Sequence, residues 1–158
     1  MGEEVVVKYP LTQEMKDAGA ELVKRLDAMS LDLTAAFWLF VVDASEWRLI
    51  VSLPSAEKGG TRAAYAAVQQ ALTEDPQLEA VSLRNVTVLG PRDDLVVRLS
   101  RGVQTPLDRP ILEECWISRC VINGVTVEDA YLYRVWPSRK KARRAARSSR
   151  LPAKPSAQ

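Results

Sequence analysis

The chain reads as an α+β domain, predicted as a mostly antiparallel sheet of about five strands with two or three helices packed mainly on one face. Three observations predict it. Apolar residues recur at three- and four-residue spacing over 12–29; short runs rich in branched and aromatic residues are separated by turn signals; and an Asn-Gly pair sits between two strand-forming runs near the end. With 158 residues and 47% hydrophobic content, a single core needs no disulfide to hold it. Residues 1–136 form the predicted domain and 137–158 a basic tail that reads as disordered.

The first predicted helix carries Met15, Ala18, Leu22, Val23, Leu26 and Met29 on one stripe, with Glu14, Lys16, Asp17, Glu21, Lys24 and Arg25 between them. Thr12 suits its N-cap, and Leu11 suits the apolar position before the cap. Residues 34–42 are apolar on both faces, which predicts a central strand covered on both sides. Asp43 to Glu46 makes a short hairpin loop. Alternation then resumes, with Trp47, Leu49, Val51 and Leu53 on one face and Arg48, Ile50 and Ser52 on the other. A second helix is expected over 61–73, with Ala64, Tyr65, Val68 and Leu72 inward. A strand is expected within 80–89, a short helix over 92–101, and a loop over 102–112.

Asn123-Gly124 predicts a two-residue type I′ hairpin turn. That turn sets the register, so that Arg119 faces Glu128, Glu113 faces Arg134 and Trp116 faces Tyr131. The face with Glu113, Arg119, Glu128 and Arg134 is expected to be the wetter one. Trp116, Ile122, Val125, Val127, Tyr131 and Tyr133 are expected to pack inward.

Charge is divided sharply along the chain. Of 22 Lys and Arg, eight follow residue 136 and no carboxylate accompanies them; the remaining 14 face all 20 carboxylates, giving −6 before the tail and +8 within it. Arms of this kind meet polyanions. Arg139, Lys140, Lys141, Arg143, Arg144, Arg147 and Arg150 are the candidate nucleic-acid-binding residues. With no aromatic among them they lack a stacking platform, so the expected contact is with phosphates and independent of sequence. An acidic protein is the alternative partner, and a solvated solubilising end is the plain reading.

Lys58, Gly59, Gly60, Thr61 and Arg62, between a strand and a helix, form a candidate anion site: N–H groups at a helix start, helped by two cations, can cradle a phosphate. The order of a Walker motif is missing, and the plain reading is a flexible turn ending in Thr61 as N-cap.

Histidine is absent from the chain, which excludes Ser-His-Asp and Cys-His nucleophiles within it and nearly every zinc site. No cofactor is expected. Cys115 and Cys120, five positions apart, fall on opposite faces of a strand, read as separate thiols in a reducing compartment, and suit neither a disulfide nor a shared metal. Asp43, Glu46, Glu113, Glu114, Glu128 and Asp129 would be the ligands if the protein were a metal-using nuclease, the rival reading from an enzyme class. Ser55 to Lys58 matches the Ser-x-x-Lys nucleophile pattern by chance, since its companion motifs are missing. The longest apolar run, 35–42, is far short of the ~20 residues a membrane helix needs, and the acidic start is unlike a signal peptide, so the expectation is a soluble cytoplasmic protein without a membrane partner. A non-catalytic accessory or regulatory role follows. A third reading is an interaction module whose hairpin edge pairs with another subunit or with a second copy of the chain. Trp136, next to the tail, is the aromatic expected at the surface.

Overall fold

A computed structural model describes residues 9–58 and 60–137. Helix α1 (Gln13–Ala28) starts where Thr12 accepts a hydrogen bond from the Met15 N–H at 3.1 Å, as its N-cap position predicts. Its inner stripe is fully buried: Leu22, Val23 and Leu26 are withdrawn from water, each contributing about 1.5–3 kcal/mol of transfer free energy. Strands β1 (Ala35–Val41) and β2 (Glu46–Ser52) form the expected antiparallel hairpin, with Phe37 opposite Ile50 and Phe40 opposite Trp47.

The chain then crosses the helical layer. A short helix α2 (Ser55–Lys58), not foreseen from the sequence, precedes α3 (Thr61–Glu74), and two single-turn 3-10 segments lead to β3 (Val86–Leu89). This crossover lets β3 run parallel to β2, with Leu49 beside Val86; a tight hairpin could not do so. Helix α4 (Asp94–Gly102) is capped by Asp93, whose side chain accepts from Leu95 N–H at 2.9 Å. The final hairpin joins β4 (Trp116–Ile122) to β5 (Val125–Val135).

The five strands lie in the order β3-β2-β1-β5-β4, a mixed sheet with one parallel pair. Its larger core lies under α1 and α3, where Trp38, Phe40, Leu49, Val51, Tyr131 and Tyr133 meet Leu22, Val23, Leu26, Ala64 and Val68. A smaller cluster covers the opposite face, built on Phe37, Ile50, Leu132 and Val135 with Leu99 of α4. β1 therefore contributes side chains to both cores, which accounts for its lack of polar alternation.

The predicted hairpin register holds, including Trp116 opposite Tyr131, and Asn123 and Gly124 both adopt positive φ, 49° and 86°. One pair drawn from it does not form. β4 begins at Trp116, so Glu113 lies outside the ladder and Arg134 has no partner there. On the other side of β5, Ala36 pairs with Arg134 but Phe37 with Leu132, which leaves Tyr133 as an extra, bulged residue. The bulge sends both Tyr133 and Arg134 to α1. Arg134 is 1% exposed instead of wet, and its guanidinium grips the Asp27 carboxylate at 2.9 and 2.7 Å.

Two further expectations change. Trp116 is 40% exposed on β4, an edge strand with no further strand beyond it among the described residues, and Trp136 is half-buried with its ring 4.1 Å from the Arg134 guanidinium. Cys115 and Cys120 are free thiols, as expected, but both pack against the smaller core; Cys115 precedes β4 and follows Glu114 at φ 54°, so strand alternation does not govern it.

Candidate functional site

Arg139, Lys140, Lys141, Arg143, Arg144, Arg147 and Arg150 lie outside the described residues, and the predicted disorder of the tail lies there with them. What the structure does define is the point from which the arm departs. Arg134 donates to the carbonyls of Leu33 and Pro110, each at 2.9 Å, in addition to its bidentate contact with Asp27. Val135 N–H donates to Thr105 Oγ1 at 3.0 Å, and Trp136 Nε1 to the Pro106 carbonyl at 3.3 Å. The last strand is thus tied to α1, to the loop before β1 and to the loop before β4. Residue 137 leaves from a rigid anchor.

Beside that anchor lies a cleft of about 1070 Å³ between α1, the turn after α3 and the loop at 111–114. Its rim carries Glu14, Asp17, Glu21, Glu79, Glu113 and Glu114 against Lys16 and Lys24, so its potential is negative. Tyr131 and Tyr133 form part of its floor. Burial pushes the Tyr133 phenol up, and it stays a neutral group that accepts from Trp38 Nε1 at 3.1 Å and donates to the Lys16 carbonyl at 2.6 Å. Burial also pushes the Tyr131 phenol up, reinforced by Glu114, Glu113 and Asp17 and opposed by a hydrogen bond from the Glu114 N–H.

Lys16 is held at the cleft edge. Its ammonium lies 5.0 Å from the Trp116 ring centroid, 5.3 Å from that of Tyr131, and 3.8 Å from Glu114. These rings belong to a row of edge-to-face aromatics running Phe40, Trp47, Trp116, Tyr131 and Tyr133, with successive centroids 4.9–6.3 Å apart. Sequence spacing shows which strand each ring occupies, but the row itself depends on strand order.

The candidate anion segment is only partly defined. Lys58 ends α2, Gly59 is outside the described residues, and Gly60 at φ 82° is the N-cap of α3. Thr61 is therefore the first helical residue rather than the cap, and Gly60 offers no side-chain oxygen to the helix. Thr61 and Arg62 are exposed.

The nuclease carboxylates are dispersed. Glu46 pairs with Arg48 at 2.7 Å, Glu128 with Arg119 at 3.7 Å, and Asp129 accepts from Ser118 Oγ at 2.6 Å. Among the described residues no group of three or more Asp, Glu or Cys is placed to hold a metal ion. Among them, too, no helix is long and apolar enough to cross a membrane. No known protein family, curated protein or solved structure matches the chain.

Proposed function

We propose that this protein is a non-catalytic accessory or regulatory protein that engages a polyanion, nucleic acid first of all, through its cationic C-terminal arm. The observation that carries the reading is the segregation of charge, −6 over residues 1–136 against +8 over 137–158. The geometry of the body supports it in two ways. The negative cleft beside the arm's root repels phosphates, which leaves the arm as the surface of attraction. The Asp27–Arg134 clamp and the Trp136 contact fix that root, so an arm seated on a polymer would tether the body to it. Contact with phosphates alone implies little discrimination among sequences.

The test compares the whole chain with residues 1–136 for binding to several duplex and single-stranded oligonucleotides of unrelated sequence. Binding by the whole chain, alike for all sequences and lost on truncation, is expected. Retained binding by the truncated form would place the contact on the body. If neither form binds nucleic acid while the whole chain captures an acidic polypeptide such as polyglutamate, the partner is an acidic protein.

A second reading rests on β4. This strand of seven residues lies at the sheet edge, with Val121 67% exposed and no partner beyond it among the described residues. It would make the protein an interaction module that pairs through the strand edge with a second copy. Sedimentation of the parent and of Val121→Lys over a range of concentrations checks it. A dimer lost in the variant supports edge pairing, and a monomer throughout rejects it.

A further inference from the structure

We infer that a pocket at one end of the aromatic row binds an organic cation bearing N-methyl groups, a quaternary or methylated ammonium head. The pocket has a volume of about 390 Å³ and is lined by Tyr9, Pro10, Leu11, Trp47, Trp116 and Asp129. That volume lies at the lower end of the roughly 300–1,000 Å³ typical of small-ligand sites. The segment before α1 forms one wall because Trp47 Nε1 donates to the Tyr9 carbonyl at 2.6 Å and Leu11 is buried in the main core. Trp47 and Trp116 form a corner, with ring planes 74° apart and centroids 6.3 Å apart. Trp47 is nearly buried, whereas Trp116 and Tyr9 are 40% and 65% exposed, so the corner opens to solvent.

The chemistry of the walls selects the ligand. Aromatic faces carry negative electrostatic potential, and rings set at an angle direct more than one such face at the same point. Asp129 adds a formal negative charge and accepts from Ser118 Oγ at 2.6 Å, and among the described residues that line the pocket none is basic. An anion is therefore disfavoured. A small inorganic cation would have to shed water against apolar walls, whereas a methylated ammonium is weakly hydrated and presents methyl groups to the rings. A second observation points the same way: the Lys16 ammonium already lies over Trp116 and Tyr131 on the cleft side, outside this pocket, which shows that the row accepts an alkylammonium. The lining residues described all belong to the folded body.

Titration of the full chain with choline chloride, followed by indole N–H resonances in NMR at constant ionic strength, tests the proposal. The comparison ligand is 3,3-dimethyl-1-butanol, in which carbon replaces the quaternary nitrogen. Saturable shifts at Trp47 and Trp116 are expected with choline, and binding of the alcohol roughly tenfold weaker. Tyr9→Ala, an exposed wall whose loss leaves the core intact, should weaken choline several-fold. Asp129→Asn should weaken choline while leaving the alcohol unchanged. Equal affinity for choline and the alcohol would reduce the site to an apolar dent and overturn the proposal. So would shifts confined to Trp38 or Trp136, unaltered choline binding in both variants, or no saturable binding at all.

Discussion

Replacing Asp27 by Ala removes one partner from the cluster that anchors the last strand. Arg134 is 1% exposed and makes four hydrogen bonds, two of them to Asp27. Deleting one partner of a buried ion pair costs about 3–5 kcal/mol, because the remaining charge is left without compensation. The Asp27 side chain is itself 38% exposed, so water can take over part of its role and the lower end applies. Asp27 also sits in the last turn of α1, where a carboxylate opposes the helix dipole, and its removal returns about 0.3–1 kcal/mol. A net loss of about 2–3 kcal/mol remains. At roughly 2.1 cal/mol/K per residue, the body has an unfolding entropy near 0.3 kcal/mol/K, so the melting temperature should fall by about 7–10 °C. Thermal and urea unfolding followed by circular dichroism measure this. The cycle with Arg134→Met should show a coupling of about 1–3 kcal/mol. A drop below about 2 °C with no coupling would refute the view that this pair clamps the strand.

Changing Asn123-Gly124 to Ala-Ala should cost about 1–2 kcal/mol, since both positions hold positive φ, and a Cβ at Gly124 would come within 2.7 Å of Arg98 Nη1. Unchanged urea stability would disprove the turn. Gly19→Ala should lose about 1–3 kcal/mol, because the added methyl collides with the Tyr133 hydroxyl and with Trp38 Nε1 beneath α1. A melting temperature at or above that of the parent would count against that packing. Truncation after Trp136 should shift the melting temperature by less than about 2 °C, since the removed residues include almost nothing apolar to bury. A larger loss would mean that the arm supports the fold.

Local patterns were enough for α1, the β1–β2 hairpin and the β4–β5 register, because each depends on spacing within one segment. They were not enough wherever distant segments decide. Arg134 looked like a solvent-facing residue of a regular strand; the bulge at Tyr133 is created by pairing with β1, about a hundred positions away, and it turns that side chain inward. Trp116 looked like core, yet its exposure follows from β4 being outermost, which no window around residue 116 reveals. The parallel placement of β3 likewise depends on the crossover through α3. Of the candidate site, the arm was legible as composition alone. The aromatic pocket was not, because Tyr9, Trp47 and Trp116 come from three separate parts of the chain.

The central claim is that the arm holds a polyanion by charge, and its salt dependence tests that most directly. Affinity of the whole chain for a duplex of arbitrary sequence should fall linearly on a log–log plot against salt concentration. Each phosphate contacted contributes about −0.9 to the slope, so partial to nearly full engagement of the arm's eight cations gives about −4 to −7. The slope should be the same for a second, unrelated duplex and unaffected by magnesium beyond its contribution as a competing cation. A slope near zero, or binding that requires magnesium, would contradict the account and place recognition in a dedicated site on the folded body.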